Sequence, residues 1–86
     1  MRFQRFSVEY TDTFGGEANY AWVRRHEIVV PETVSDAAVI RRAKAIMGLN
    51  GVRCRKLNNG GASDAWTFYP CGRNTVLFVA YEGDVE

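Results

Sequence analysis

The stretch "YTDTFGGEANYAWVRR", Tyr10–Arg25, decides the fold. It holds a double glycine, four aromatic residues and two adjacent arginines. Just upstream, Phe6, Val8 and Tyr10 alternate with Arg5, Ser7, Glu9 and Thr11, the period-two pattern of a half-buried strand. Downstream, "YAWVRRHEIVV" is rich in aromatic and β-branched residues, which fit a pleated surface. Between the two, "TDTFGGEAN" collects turn residues around Gly15-Gly16. The expectation is a β-hairpin with a long loop. Pro31 ends its second strand because proline has no N–H to give to a ladder.

Next along the chain, "PETVSDAAVIRRAKAIMGLNG" predicts the one helix. Ser35 is a good N-cap, and Asp36 suits the positive end of the helix dipole. Val34 and Val39 stand at hydrophobic-staple positions. Val39, Ile40, Ala43, Ile46 and Met47 recur at three- and four-residue spacing and form one apolar stripe. Gly48 fits the left-handed position after the helix. Arg41, Arg42 and Lys44 lie off the stripe, toward water.

"VRCRKL" reads as a strand with Arg53 and Arg55 on one side and Val52 and Cys54 on the other. "NNGGASD" reads as a loop. "AWTFYP" and "TVLFVAY" read as strands joined by a tight "CGRN" turn. The acidic tail "EGDVE" reads as frayed. The order is therefore ββαβββ in a single domain, residues 1–86. Its class is α+β: an antiparallel sheet with one helix packed on one face. One helix covers one face only, yet "TVLFVAY" is apolar on both alternating sets. Either another element covers the second face or that face stays partly exposed. Exposed apolar patches mark interaction sites, and an apolar sheet face also allows a homodimer. The competing reading lays arginine stems over Trp22 or Tyr81.

Composition narrows the function classes. With 47% apolar, 24% charged and 13% aromatic residues, the 86-residue chain has the balance of an ordered domain. A domain this size buries about two-thirds of its unfolded surface, so the core is modest. The longest apolar run, Val76–Tyr81, is strand-length, well short of the roughly 20 residues that span a bilayer. "MRFQRFSVEY" lacks the apolar region of a secretory signal, so a cytoplasmic home is expected. Cys54 and Cys71 are expected to be free thiols. A hairpin turning near Gly60-Gly61 would set Cys54 opposite a residue near position 68, leaving Cys71 off register.

The formal net charge is +1 but unevenly spread. Residues 24–56 carry eight basic and three acidic groups, so this middle is +5 and the rest is −4. Such asymmetry is either the footprint of an acidic partner or a solvated helix face with ordinary polar strand positions. Catalytic equipment is thin. His26 is the one histidine, and no paired-cysteine knuckle accompanies it, so no metal is expected. Neither glycine pair precedes a helix, and no phosphate-loop motif occurs, so no nucleotide cofactor is expected. Carboxylates have no spacing that forces convergence. A non-enzymatic protein is expected. Tyr20 and Trp22 could stack bases while Arg24, Arg53 and Arg55 meet phosphates, although aromatics on a small sheet are more often core.

"DTFGGEANYAWVRR" together with "GVRCRK" resembles small uncharacterised accessory proteins of bacteriophages and prophages. The resemblance implies binding to a host protein or ribonucleoprotein complex. By analogy with the anti-CRISPR group, it implies stoichiometric inhibition in the host-cell cytoplasm. The residues expected to touch the partner are Tyr20, Trp22, Arg24, Arg25, Arg53, Arg55 and Lys56, with Arg41, Arg42 and Lys44 as a secondary basic face. The alternative is a nucleic-acid-binding module that uses the same basic and aromatic strand residues.

Overall fold

The hairpin is longer and tighter than its sequence suggests. In the computed structural model, which describes residues 2–57 and 65–85, β1 (Phe3–Phe14) and β2 (Glu17–Pro31) are joined by Gly15-Gly16 alone. Phe14 pairs with Glu17, and both glycines have positive φ, +63° and +84°. A two-residue turn with this geometry matches the right-handed twist of its strands, and glycine adopts it at no steric cost. The expected long loop is instead strand, distorted by a bulge.

The remaining elements are α1 (Asp36–Ile46), β3 (Cys54–Leu57), β4 (Ala65–Pro70) and β5 (Thr75–Val85). The order ββαβββ and the α+β class are as the sequence predicts. The strands form one antiparallel sheet in spatial order β2-β1-β5-β4-β3, so β2 and β3 are its edges. Ser35 caps α1, its hydroxyl accepting from the Ala38 N–H at 3.2 Å. Gly48, at φ +74°, follows the Met47 C-cap. The helical stripe buries Val39, Ala43 and Met47 against Phe6, Val8 and Tyr10 of β1, Leu77 and Val79 of β5, and Ile28 and Val30 of β2. Leu49, just past the helix, is fully buried. Lys44 does not simply face water. It is half-buried, with its Nζ 5.0 Å from the Phe68 ring centroid. Arg41 and Arg42 are exposed as expected.

The tail is not frayed through its length. β5 runs to Val85, and Phe3 pairs with Val85, Gln4 with Asp84 and Arg5 with Gly83. A register shift between Arg5 and Phe6 leaves Glu82 unpaired in the ladder, and its carboxylate accepts from the Ser7 hydroxyl at 2.7 Å. The Tyr81 hydroxyl donates to Asp84, and Arg2 lies 3.6 Å from Asp84. The open edge of β1 gives the acidic segment backbone partners that its own composition does not reveal.

β3 is shorter than "VRCRKL": Val52 and Arg53 precede it. Cys54 pairs with Pro70, not with a residue near 68. The expected Gly60-Gly61 turn lies outside the described residues. Both thiols are free, Cys54 half-buried and Cys71 exposed. On the face away from α1, Val76, Thr11 and Thr67 are buried, whereas Val29 and Leu57 are each 43% exposed. Phe78 and Ala80 of the middle strand β5, on the same face, are half-buried, so that face is partly exposed across the sheet and most open at its two edges. No described helix is long and apolar enough to cross a membrane.

Candidate binding surfaces

The far end of the hairpin is built around one irregularity. Thr11 pairs with Val23 and Thr13 pairs with Ala18, so Asn19–Trp22 together oppose the single residue Asp12. Extra residues in one strand leave backbone groups without ladder partners. Asp12 and Thr11 supply them. The Asp12 carboxylate accepts from the Ala21 N–H and the Asn19 side-chain amide, each at 2.9 Å. The Thr11 hydroxyl donates to the Trp22 carbonyl at 2.8 Å. The Asn19 hydrogen bond is the largest cause holding the Asp12 carboxyl below its ordinary pKa of 3.8.

Within the bulge, Tyr20 has φ +56°, in the left-handed region that a bulky residue seldom occupies. Its hydroxyl donates to Glu9 Oε1 at 2.7 Å, and Arg25 Nε donates to Glu9 Oε2 at 3.0 Å. The bond to Glu9 is also the main reason the Tyr20 phenol sits above its ordinary pKa of 10.0. Trp22 lies on the other side of the strand, edge-on to Tyr10 with ring centroids 5.4 Å apart. Tyr20 is 49% and Trp22 43% exposed. The bulge thus sets one aromatic on each side of the sheet's outer edge, with exposed Arg24 and Arg25 beside them.

The basic residues do not form one patch. Arg24 and Arg25 are on β2, Arg55 and Lys56 on β3, and Arg53 just before it. Four inter-strand steps separate the two edges in the order β2-β1-β5-β4-β3, about 19 Å along the sheet. Arg55 and Lys56 are neighbours in a strand and point to opposite faces. Arg55 lies over the Tyr69 ring at 5.0 Å, whereas Lys56 pairs in register with Phe68. The structure therefore divides the expected set into a β2 group, a β3 group and the α1 group.

Three residues not in that set gain importance. Asp12 shapes the bulge; its sequence signal is a carboxylate flanked by threonines before a turn. Phe14 is 80% exposed at the hairpin tip, beside Gly15. Arg73, in the "CGRN" turn, shares a cleft with Arg55 and Phe14, and only the three-dimensional pairing of β1 with β5 brings these turns together. Among the described residues, no three of His, Cys, Asp and Glu gather in a way that could hold a metal ion. Several carboxylates already have structural partners: Glu9 with Arg25 and Tyr20, Glu27 with Arg5 at 3.3 Å, and Asp84 with Arg2 and Tyr81.

No family model, curated protein or solved structure matches the chain.

Proposed function

We propose that the chain is a non-catalytic binding protein that grips a larger protein or ribonucleoprotein through the distal, outer edge of β2. The observation that carries this reading is the Tyr20–Arg25 segment. It lies on an edge strand, exposes two aromatics and two arginines, and is held in an irregular backbone by a dedicated side-chain network. Edge strands offer backbone hydrogen-bonding groups to a partner's strand. Aromatics and arginine dominate binding energy at protein interfaces. Backbone strain maintained by surrounding bonds is common where a surface has to present a fixed shape. The non-catalytic reading draws on the engagement of Glu9, Asp12, Glu27 and Asp84 in structural bonds.

In its specific form, the proposal is inhibition by occlusion: one copy covers a working surface of a host-cell complex, in the manner of an anti-CRISPR protein. That form draws on the resemblance. The test is capture of a partner from nuclease-treated host lysate by the tagged protein and by the double variant Trp22→Ala/Arg24→Glu. A partner retained one-to-one by the wild type and lost by an equally stable variant supports the proposal. Equal retention by both, or a catch that disappears with nuclease, overturns it.

A further inference from the structure

A second site lies at the end of the sheet where two turns meet. The Gly15-Gly16 hairpin tip and the "CGRN" turn are neighbours because β1 pairs with β5, and the Thr13 N–H donates to the Asn74 carbonyl at 2.9 Å. The Cys71 N–H in turn donates to the Arg53 carbonyl at 2.8 Å, tying the entry of β3 to the same turn. These three segments frame a cleft of about 490 Å³ whose lining includes Phe14, Arg55, Tyr69, Arg73 and Asn74. Backbone hydrogen bonds join its walls, so the walls are set before anything enters.

The chemistry of the lining is one-sided. Among the described residues, Arg55 and Arg73 are its charged groups and no carboxylate lines it. Neither arginine forms an ion pair among the described residues, whereas Arg2, Arg5 and Arg25 each do. Arg55 is laid over the Tyr69 ring, which holds a flat guanidinium and reduces the freedom it would lose on binding an anion. Phe14 stands 80% exposed at the rim. A pair of guanidinium groups without carboxylate partners suits phosphate oxygens, and a bare aromatic face suits a planar base. An acidic peptide would use the arginines but leave the Phe14 ring in water.

We infer that this cleft binds single-stranded nucleic acid, taking one backbone phosphate on each of Arg55 and Arg73 and stacking one base on Phe14. The site is separate from the β2 edge and needs no protein partner, so it can fail or succeed independently of the proposed grip.

The test is fluorescence anisotropy of a labelled oligothymidylate with the purified full chain across a salt series. Binding is expected to weaken with salt. In the double variant Arg55→Gln/Arg73→Gln, the log–log salt slope is expected to flatten by about 1.4, since each phosphate neutralised on a single strand adds roughly 0.7. Phe14→Ala is expected to lower affinity at least about fivefold, the lower end of base stacking on an aromatic. Arg73→Gln alone, in an exposed turn, is expected to flatten the slope by about 0.7 even if removal of Arg55 loosens β3. Arg2→Gln, just before β1 at the end of the strand opposite the cleft, is expected to leave binding unchanged. Absence of binding by the wild type overturns the inference, as do unchanged affinity and slope in stably folded variants. Displacement of the oligonucleotide by polyglutamate at equal charge concentration would reassign the cleft to acidic peptides.

Discussion

The two halves of the β1–β2 hairpin belong to one antiparallel pair, interrupted only at the bulge opposite Asp12, but are held by different physics. At its base, Phe6 faces Ile28 across the strands, and both are 2% exposed beneath α1. At its far end, from Glu9 to Arg25, Tyr10 and Thr11 of β1 are buried, and the β2 residues from Glu17 to Glu27 are all half-buried or exposed. There the structure depends on Asp12, Thr11 and Glu9, whose bonds compete with water. Burial of a large apolar side chain contributes about 1.5–3 kcal/mol, against about 0–1 kcal/mol for a solvent-exposed ion pair. The base should therefore govern whether the chain folds, and the arm should govern what it presents. Regions that bind are commonly drawn from the less stable part of a fold.

The largest effect is expected from damage to the base. Leu77 is fully buried between the helix and the sheet, and Leu77→Ala should cost about 3 kcal/mol of unfolding free energy in a urea titration. That is a large fraction of the roughly 5–15 kcal/mol typical of a domain. A cost under about 1 kcal/mol would show that the core is not where the fold is held. The arm should answer differently. Trp22 keeps 43% of its surface in water, so Trp22→Ala should cost only about 1 kcal/mol of stability, chiefly the edge-on packing with Tyr10. Partner affinity should fall by about 2 kcal/mol or more, the scale of an aromatic anchor at an interface. Equal destabilisation in the two variants would erase the distinction between base and arm.

The base is legible in the sequence and the arm is not, for identifiable reasons. Alternation in Phe6-Val8-Tyr10 and the stripe Val39-Ala43-Met47 are local patterns created by burial, and burial is what the base uses. The Ser35 cap and Gly48 stop can be read for the same reason: their partners are a few residues away. The arm's geometry depends on Asp12 meeting Asn19 and Ala21 across a turn. A carboxylate that satisfies a bulge looks like any other loop carboxylate until the register is known. The acidic segment Glu82–Val85 resembles a frayed tail for a related cause, since its strand character comes from the free edge of β1, not from its own residues. The basic residues illustrate the same limit. Proximity in sequence places Arg53 and Arg55 within the positive middle segment, and strand order then moves them to the edge opposite Arg24 and Arg25.

A finer probe removes the clamp and leaves the base intact. In Asp12→Ala, the Ala21 N–H and the Asn19 amide are left without their acceptor. Hydrogen exchange followed by NMR should show faster exchange for amides from Ala18 to Val23, while Val8 and Val79 in the core keep wild-type protection. Slowed or unchanged exchange at Ala21 would mean that the bulge is held by something other than Asp12. Equal acceleration at Val79 would mean that arm and base open as one unit.

The smallest expected effect is a pH response confined to the arm. Asp12 is held below its ordinary pKa of 3.8, first by the Asn19 hydrogen bond and further by the Ala21 and Trp22 N–H groups and the Thr11 hydroxyl, with desolvation opposing. A carboxyl whose folded pKa is depressed adds stability above its unfolded value, and that stability fades as pH falls through the folded pKa. The arm should therefore loosen on acidification below pH 3.8. Tyr20 has the opposite sign. Its phenol is raised above 10.0, first by donation to Glu9, so its contribution is complete below pH 10.0 and is lost as pH rises through the folded value. Tyr81 is also raised, by its bond to Asp84 near the hairpin base, so the alkaline limb needs Tyr20→Phe for its assignment. Two-dimensional NMR can follow the Ala21 backbone amide and the Asn19 side-chain amide beside those of Ile28 and Val30. The arm signals should shift below pH 3.8 while the base signals hold, and Asp12→Asn should abolish that acid step. If Ile28 and Val30 move in the same window as Ala21, the hairpin responds as a single body. If the step survives in Asp12→Asn, the titrating group is not the one that clamps the bulge.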